Sequence, residues 1–524
     1  MKYRLFALTL AALLRCMAVA QTFCEQIVAY TDKDCYLAGE RLCVRVDAKA
    51  DGRPSPSAVA YVEVSDTHQM VAQCMVALSG GQGWAEIALP NTMHSGCYQL
   101  TAYTRAMRSF GTDTFFRSII GVVNGERLSR RDDVVVLPYD SLAASAVVAE
   151  APVPVRSYAP GQEVCIALPE AGAGGWAVAV RGAGVATELS VGQPSTPAAK
   201  LIGTASFMPE VEGHIVTARM EQSPAADVDQ TRLALIGKKA SLYDGQRQAD
   251  GSYRYYTSDV YGNLPVMVNA FDTLGHPVRL DLVSPYAAVL PEQLPQLKVY
   301  CEEDALRQRA TEARRQAVVN QWLELDTLSH SVGFMSAEPD FFYDLDEWTQ
   351  MNDVRELLYE FVRGARWQKR HGMTMLYTFD VRAKRYSRWP ALVLLDGIPI
   401  YDIDEILGYD AHLIRYVQIY SGIFNFGQSC CCGIISFVTR RGRLSNYQLK
   451  AGELLVSYAF PQNRPAFVNR IAATAGTLLW LPSVCQPELR FVAPSEPGRY
   501  LVTIQGQEAS GGITTKDFFF EVTL

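Results

Sequence analysis

Ile27-Val28-Ala29-Tyr30-Thr31-Asp32-Lys33-Asp34-Cys35-Tyr36-Leu37-Ala38-Gly39-Glu40-Arg41-Leu42-Cys43-Val44-Arg45-Val46 sets the pattern for much of the chain. An apolar run, 27–30, stops at the polar turn 31–34. Gly39-Glu40 follows, and then Leu42, Val44 and Val46 alternate with Cys43 and Arg45. Alternation of period two places neighbouring side chains on opposite faces, as a half-buried strand requires. Residues 59–64, 84–89 and 97–103 continue the series with β-branched and aromatic side chains. Short strands with turn signals every ~8–12 residues predict a β-sandwich over 21–124.

Upstream, Lys2 and Arg4 precede an apolar run, 5–14, that is too short for a membrane helix of ~20 residues. Ala18-Val19-Ala20 supplies small residues before Gln21, so a signal peptide over 1–20 is expected. A rival reading makes Cys16 the lipidated cysteine of a lipoprotein, although Arg15 stands where a small residue belongs. No later run is apolar for 18 residues, so no transmembrane helix is expected. The chain has 524 residues, 49% of them hydrophobic, enough for several packed domains. A net charge of −7 gives no electrostatic case for nucleic acid. Of twelve cysteines, Cys35, Cys43, Cys74, Cys97 and Cys165 lie in strand-like contexts, where Cys usually serves as a small buried hydrophobe. One or two disulfides within 24–97 stay open, and the sequence does not give their connectivity.

Downstream, an Ala/Pro-rich segment, 142–160, reads as an extended linker, and 164–168 and 176–180 read as strands. Residues 251–257 form an aromatic-rich strand before the turn at 261–263. Residues 302–328 lack Pro and Gly and carry an imperfect apolar stripe at helical spacing, which predicts a helix. A second helix is predicted over 345–362, capped by Asp344 or Asp346. The apolar run 391–395 suits a strand buried on both faces, followed by a turn at Asp396-Gly397. Residues 404–407 suggest a short helix, and 417–420, 434–439, 499–504 and 518–524 further strands.

Residues 391–442 resemble the plug domain of TonB-dependent outer-membrane receptors. The matching residues are Leu394-Leu395-Asp396-Gly397-Ile398-Pro399, then 414–420 with Gly422 and Gly427, then Gly433-Ile434-Ile435-Ser436-Phe437-Val438-Thr439. With the preceding helix the resemblance covers about 340–445. It implies a structural motif made by Asp396, Gly397, Pro399, Gly422, Gly427 and Gly433. The family's Arg-Gly strand before the DG turn is not recognisable. Gly442 is followed by 82 residues (524 − 442), too few for a large transport barrel of ~9–11-residue strands. Residues 27–123 resemble a macroglobulin-type sandwich of the alpha-2-macroglobulin kind, through 31–40 and Gly96-Cys97-Tyr98-Gln99-Leu100-Thr101-Ala102-Tyr103. Residues 158–164 echo its opening, and 213–263 weakly resemble a transthyretin-like domain. The expected fold is therefore mainly β and multi-domain: tandem β-sandwiches, a helical connector, an α+β plug-like domain and a C-terminal β segment. The expected divisions are 21–124, 125–210, 211–290, 291–339, 340–445 and 446–524.

No catalytic constellation emerges. HExxH, GxSxG and Walker patterns are missing, and the seven histidines are scattered. Macroglobulin thioesters link Cys and Gln three apart, whereas Cys24 and Gln26 are two apart. Gly172-Ala173-Gly174-Gly175 lacks the following helix that a phosphate loop needs. Cys430-Cys431-Cys432 is read as a turn or strand start, not a zinc site, which wants separated ligands. Asp402, Asp404, Glu405 and Asp410 are read as helix caps before a cation site, and Asp32 and Glu40 as turn flanks. Trp348 and Trp367 are equally suited to a contact surface and to a core. No cofactor or metal is expected. The expected function is a non-enzymatic envelope protein, periplasmic or outer-membrane-associated, that binds a partner there, a transport component being one choice. The alternative is an accessory hydrolase or protease inhibitor acting on peptide or glycan.

Overall fold

The computed structural model describes residues 25–124, 134–138, 156–172, 174–183, 185–187, 189, 207–220, 228–235, 241–274, 276–301, 338–347, 351–370, 372–426, 429–442, 446–450, 452–463, 477–508 and 513–524. The expected signal segment, Cys16, Cys24, the helix predicted over 302–328, Trp348 and Gly427 lie outside these residues. The chain is mainly β and multi-domain. It forms two compact units, one drawn from 1–211, 286–319 and 461–524, the other from 212–285 and 320–460. No described helix is long and apolar enough to cross a membrane.

In the first unit, Arg41–Ala50 pairs antiparallel with Glu25–Thr31 and with Gln82–Ala88. A second sheet runs in the order Cys35–Leu37, Phe116–Val123, Gly96–Thr104, Val59–Ser65, Met70–Ala77. The predicted alternation is realised: Leu42, Val44 and Val46 are fully buried, together with Ile27, Val62, Val64 and Leu100. Each such side chain contributes roughly 1.5–3 kcal/mol of burial. Val59–Ser65 and Gly96–Thr104 are buried at every position, so both of their faces are covered. The outer cover includes Tyr286, edge-on to Tyr61 at 5.8 Å, and Glu210, which accepts from the Tyr61 hydroxyl at 2.7 Å. Glu63 can be buried there because it accepts from Tyr103 Oη at 2.7 Å and Ala288 N at 3.2 Å.

A second sandwich in this unit joins segments far apart in sequence. Its five-stranded sheet runs Arg156–Tyr158, Ile513–Val522, Gly498–Gln507, Trp176–Gly182, Thr477–Val484, and Glu163–Ala167 pairs with Glu488–Val492. Trp176, Val178, Val180, Phe491, Val502, Ile504 and Phe520 share one core. Strands of 125–210 and of 446–524 are thus partners in one sandwich. Three strands of the earlier segment cannot bury Trp176 alone, and the later strands complete the cover. Val134–Leu137, Leu297–Cys301 and Val185–Thr187 make a further three-stranded sheet.

The second unit repeats the device. Val228–Leu235 and Asn263–Asp272 are neighbours, and Leu454–Ala459 pairs with the latter to extend a small sandwich. Ala234, Leu242 and Met267 of this sandwich enter the same core as the α/β part, which includes Val354, Leu357, Leu395, Ile419 and Phe437. The helix predicted over 345–362 is shorter than expected. Phe341–Asp344 is a strand, Leu345–Glu347 a single 3-10 turn, and the α-helix occupies Val354–Glu360. Asp353, not Asp344 or Asp346, caps it, accepting from Glu356 N at 2.8 Å. The apolar stripe Val354, Leu357 and Leu358 begins only after Asp353, which is why the helix starts there.

Candidate functional site

Five of the six predicted motif residues lie in one mixed sheet, ordered Phe341–Asp344, Ile414–Phe426, Ser429–Thr439, Leu392–Leu395, Ile398–Pro399. Leu392–Leu395 runs parallel to 434–437 and turns back antiparallel onto Ile398–Pro399. Asp396 (φ 50°) and Gly397 (φ 86°) both adopt positive φ, as a two-residue type I′ hairpin turn demands. The Asp396 carboxylate then fixes this turn to the neighbouring strand. It accepts from Thr439 N and Thr439 Oγ1, each at 2.7 Å, while Asp396 N donates to the Phe437 carbonyl at 2.8 Å. Pro399 stands opposite Leu394 on the edge strand, and the flanking Ile400 N supplies the bond to Val393. A residue without an N–H fits that non-hydrogen-bonded position.

Gly422 and Gly433 meet across the adjoining hairpin. Tyr420 pairs with Ile434 and Ile423 with Cys432, so Ser421 and Gly422 together oppose Gly433, a β-bulge. Gly422 has φ 117°. Gly433 has φ 101°, and a Cβ there would lie within 2.8 Å of Thr378 Cβ. Asp340 locks the bulge by accepting from Ser421 N (2.6 Å) and Oγ (2.8 Å). These residues shape and pin backbone. The outer edge of Phe341–Asp344 pairs with no other strand among the described residues, and Phe342 on it is 50% exposed.

The other singled-out groups also have structural partners. Asp402 caps Ile403–Leu407 through Glu405 N and binds Lys450 at 2.9 Å. Glu405 takes the same ammonium at 2.6 Å, Asp404 accepts from Thr374, and Asp410 caps the turn at His412. No described His, Cys, Asp and Glu cluster could hold a metal ion. Cys430, Cys431 and Cys432 lie along the strand Ser429–Thr439. Burial pushes the Cys431 thiol up to about 11 and also raises Cys432, the opposite of nucleophile activation. Burial likewise raises Cys97, to about 11, and Cys35 and Cys97 are thiols, not half-cystines.

Asp32 and Glu40 do more than flank turns. Lys33 Nζ meets Glu40 Oε2 at 2.6 Å, with both side chains under a tenth exposed. Glu40 also accepts from Leu37 N at 2.9 Å, and Asp32 accepts from Tyr36 Oη at 2.7 Å and Cys43 N at 3.0 Å. Burial opposes the Lys33 charge, but the adjacent Glu40 and Asp32 outweigh it and raise the ammonium pKa. The network ties the two turns of the opening stretch together and is architectural. Gly172, Gly174 and Gly175 form a loop, in which the Gly175 carbonyl accepts from the buried Arg45 at 3.0 Å.

Reading by motif missed the hairpin Ala365–Arg370 and Met373–Asp380, extended by Arg385–Tyr386. Its signal was local: 363–388 holds eight Lys and Arg against one Asp, a formal +7 inside a chain of net −7. Trp367 lies here, 36% exposed beneath Arg355.

No protein-family model and no curated protein sequence matches the chain. Among solved structures, it is similar to Salmonella alpha-2-macroglobulin reacted with methylamine, at 10% identity and TM-score 0.16, over 95% of this chain and 23% of that one. It is similar to Escherichia coli alpha-2-macroglobulin in its native conformation at 8% identity and TM-score 0.17, over 96% and 22%. Fibronectin(III)-like modules of Clostridium thermocellum CbhA align at 11% identity and TM-score 0.11, over 53% and 95%. The chain thus spans under a quarter of the length of those two alpha-2-macroglobulins.

Proposed function

We propose that this chain is a non-enzymatic cell-envelope protein, periplasmic or outer-membrane-associated, that binds a partner protein through a preformed β-surface. Residues 340–445 act as the docking module, in the manner of a receptor plug. The observation that carries this reading is the sheet edge at Phe341–Asp344. It is held in register against Ile419, Gln418, Val417 and Tyr416, and its outer side pairs with no strand among the described residues. An edge of this kind accepts an added strand, with main-chain bonds giving affinity and alternate side chains such as Phe342 giving selectivity.

A photo-cross-linking residue placed at 342 tests the proposal in cells of the source. One envelope protein should be captured, and Phe342→Lys should abolish the association while leaving the thermal transition unchanged. Hydrolysis of peptide or glycan by the purified chain, or stoichiometric protease inhibition, would replace this reading with the alternative.

A further inference from the structure

We infer that the hairpin over 365–386 docks on an anionic phospholipid surface. Cross-strand pairing sorts its side chains into two faces. Ala365, Leu376 and Thr378 share one face and are buried, and Trp367 and Lys369 continue that face as exposed side chains. One acid, Asp404, adjoins that side through Thr374. The opposite face carries Arg366 and Arg370 beside Met373, Met375, Tyr377 and Phe379. Arg366 lies 4.1 Å over the Tyr386 ring and Arg370 5.7 Å over Tyr377.

Arg366, Arg370, Arg382, Lys384, Arg385 and Arg388 are exposed and form no ion pair among the described residues. The single acid of the segment, Asp380, is turned into the loop, where it accepts from Arg382 N and Ala383 N, each at 2.9 Å. The positive charge is therefore left uncompensated. Large apolar side chains stand exposed among these bases: Met373 (60%), Val381 (46%) and Trp389 (70%). Met373 and Val381 mark the two ends of one strand. Trp389 projects beside its middle, because Ser387 N and Ala391 N bond to the Thr378 and Leu376 carbonyls.

Bases interleaved with exposed Trp and Met match the interfacial layer of a bilayer, where cations meet lipid phosphates and apolar tips enter below them. A nucleic acid would want open ring faces to stack on. Here Tyr377 is only 2% exposed and an Arg already lies over the Tyr386 ring, so Trp389 is the open ring of the patch and DNA is the competing ligand in the test below. An acidic peptide would use the charge and leave the apolar tips without a role.

Cosedimentation of the full chain with phosphatidylglycerol–phosphatidylcholine vesicles at low salt tests this. Binding is expected to those vesicles and not to pure phosphatidylcholine. Arg366→Gln with Arg370→Gln should weaken it roughly 30-fold, at about fivefold for each charge near the surface. Met373→Ser with Trp389→Ser should weaken it severalfold without changing the salt dependence. All four positions are exposed, and an unchanged circular dichroism melt confirms that the variants fold. Failure to bind anionic vesicles would overturn the inference. So would equal binding to DNA or polyglutamate that ignores the Met373→Ser and Trp389→Ser changes. Neither outcome bears on the Phe341–Asp344 edge, which is tested separately.

Discussion

Two turns in this molecule are pinned by carboxylates, and they are pinned differently. In the opening sandwich, Glu40 is buried and meets an equally buried ammonium, Lys33. In the α/β part, Asp396 holds its turn with a backbone N–H and a hydroxyl of Thr439. The first arrangement removes two charges from water and survives only as a matched pair. The second trades hydration for two charge-assisted hydrogen bonds at a partly solvated site. Loss of a partner should therefore be far more costly at the first turn than at the second.

Glu40→Ala is expected to have the largest effect, a loss of about 3–5 kcal/mol, because it strands a buried ammonium. Chemical denaturation measures it. Lys33→Met combined with Glu40→Leu should recover most of the loss, short of about 1 kcal/mol for the Leu37 N–H left without its acceptor. A double variant no better than Glu40→Ala would break the comparison. Asp396→Ala should cost less, about 1–3 kcal/mol, through two lost bonds and a poorer residue for positive φ. Equal losses at the two turns would show that burial of the ion pair is not the deciding difference.

The smallest expected effect sharpens the exposed end of the scale. Asp250 is held at about 2 by Ser252 hydroxyl and backbone donors, aided by Arg219. A carboxylate depressed in the folded state lends stability above its unfolded pKa and loses it as pH falls through the folded one. This contribution should fade between about pH 4 and pH 2. Ser252→Ala should raise the Asp250 midpoint, read by NMR titration, toward its ordinary value of 3.8. An unmoved midpoint would contradict the role given to the serine.

The opening sandwich was legible through five strands that advertise themselves locally, whereas Met70–Ala77 and Phe116–Val123 do not. Leu42, Val44 and Val46 alternate, and Gly39-Glu40 marks the turn. The Asp396-Gly397 turn and the short Ile403–Leu407 helix were legible for the same reason, each being fixed by two or three adjacent residues. The closing of sandwiches was not. Alternation around Trp176 shows that one face is buried but does not name the strand that covers it. The helix start was misplaced because three acids, Asp344, Asp346 and Asp353, are all good caps, and only packing of Val354 and Leu357 selects among them. Whole-chain net charge hid the basic hairpin, since −7 is a sum in which the +7 of this segment is offset by −14 elsewhere.

The sandwich built from 156–182 and 477–522 has a consequence for how the chain comes to be folded. Its halves are separated by close to 300 positions, from Gly182 to Thr477, which include the whole second unit. During synthesis the strand Trp176–Gly182 leaves the ribosome long before the strands that flank it. Its apolar surface must wait through the making of another unit, exposed to wrong partners of the kind that slow non-local β-pairing. The inserted unit can fold meanwhile and draw the two halves closer than an open chain would hold them, lowering the entropy of closure. Order of synthesis and order of folding thus part company at Trp176.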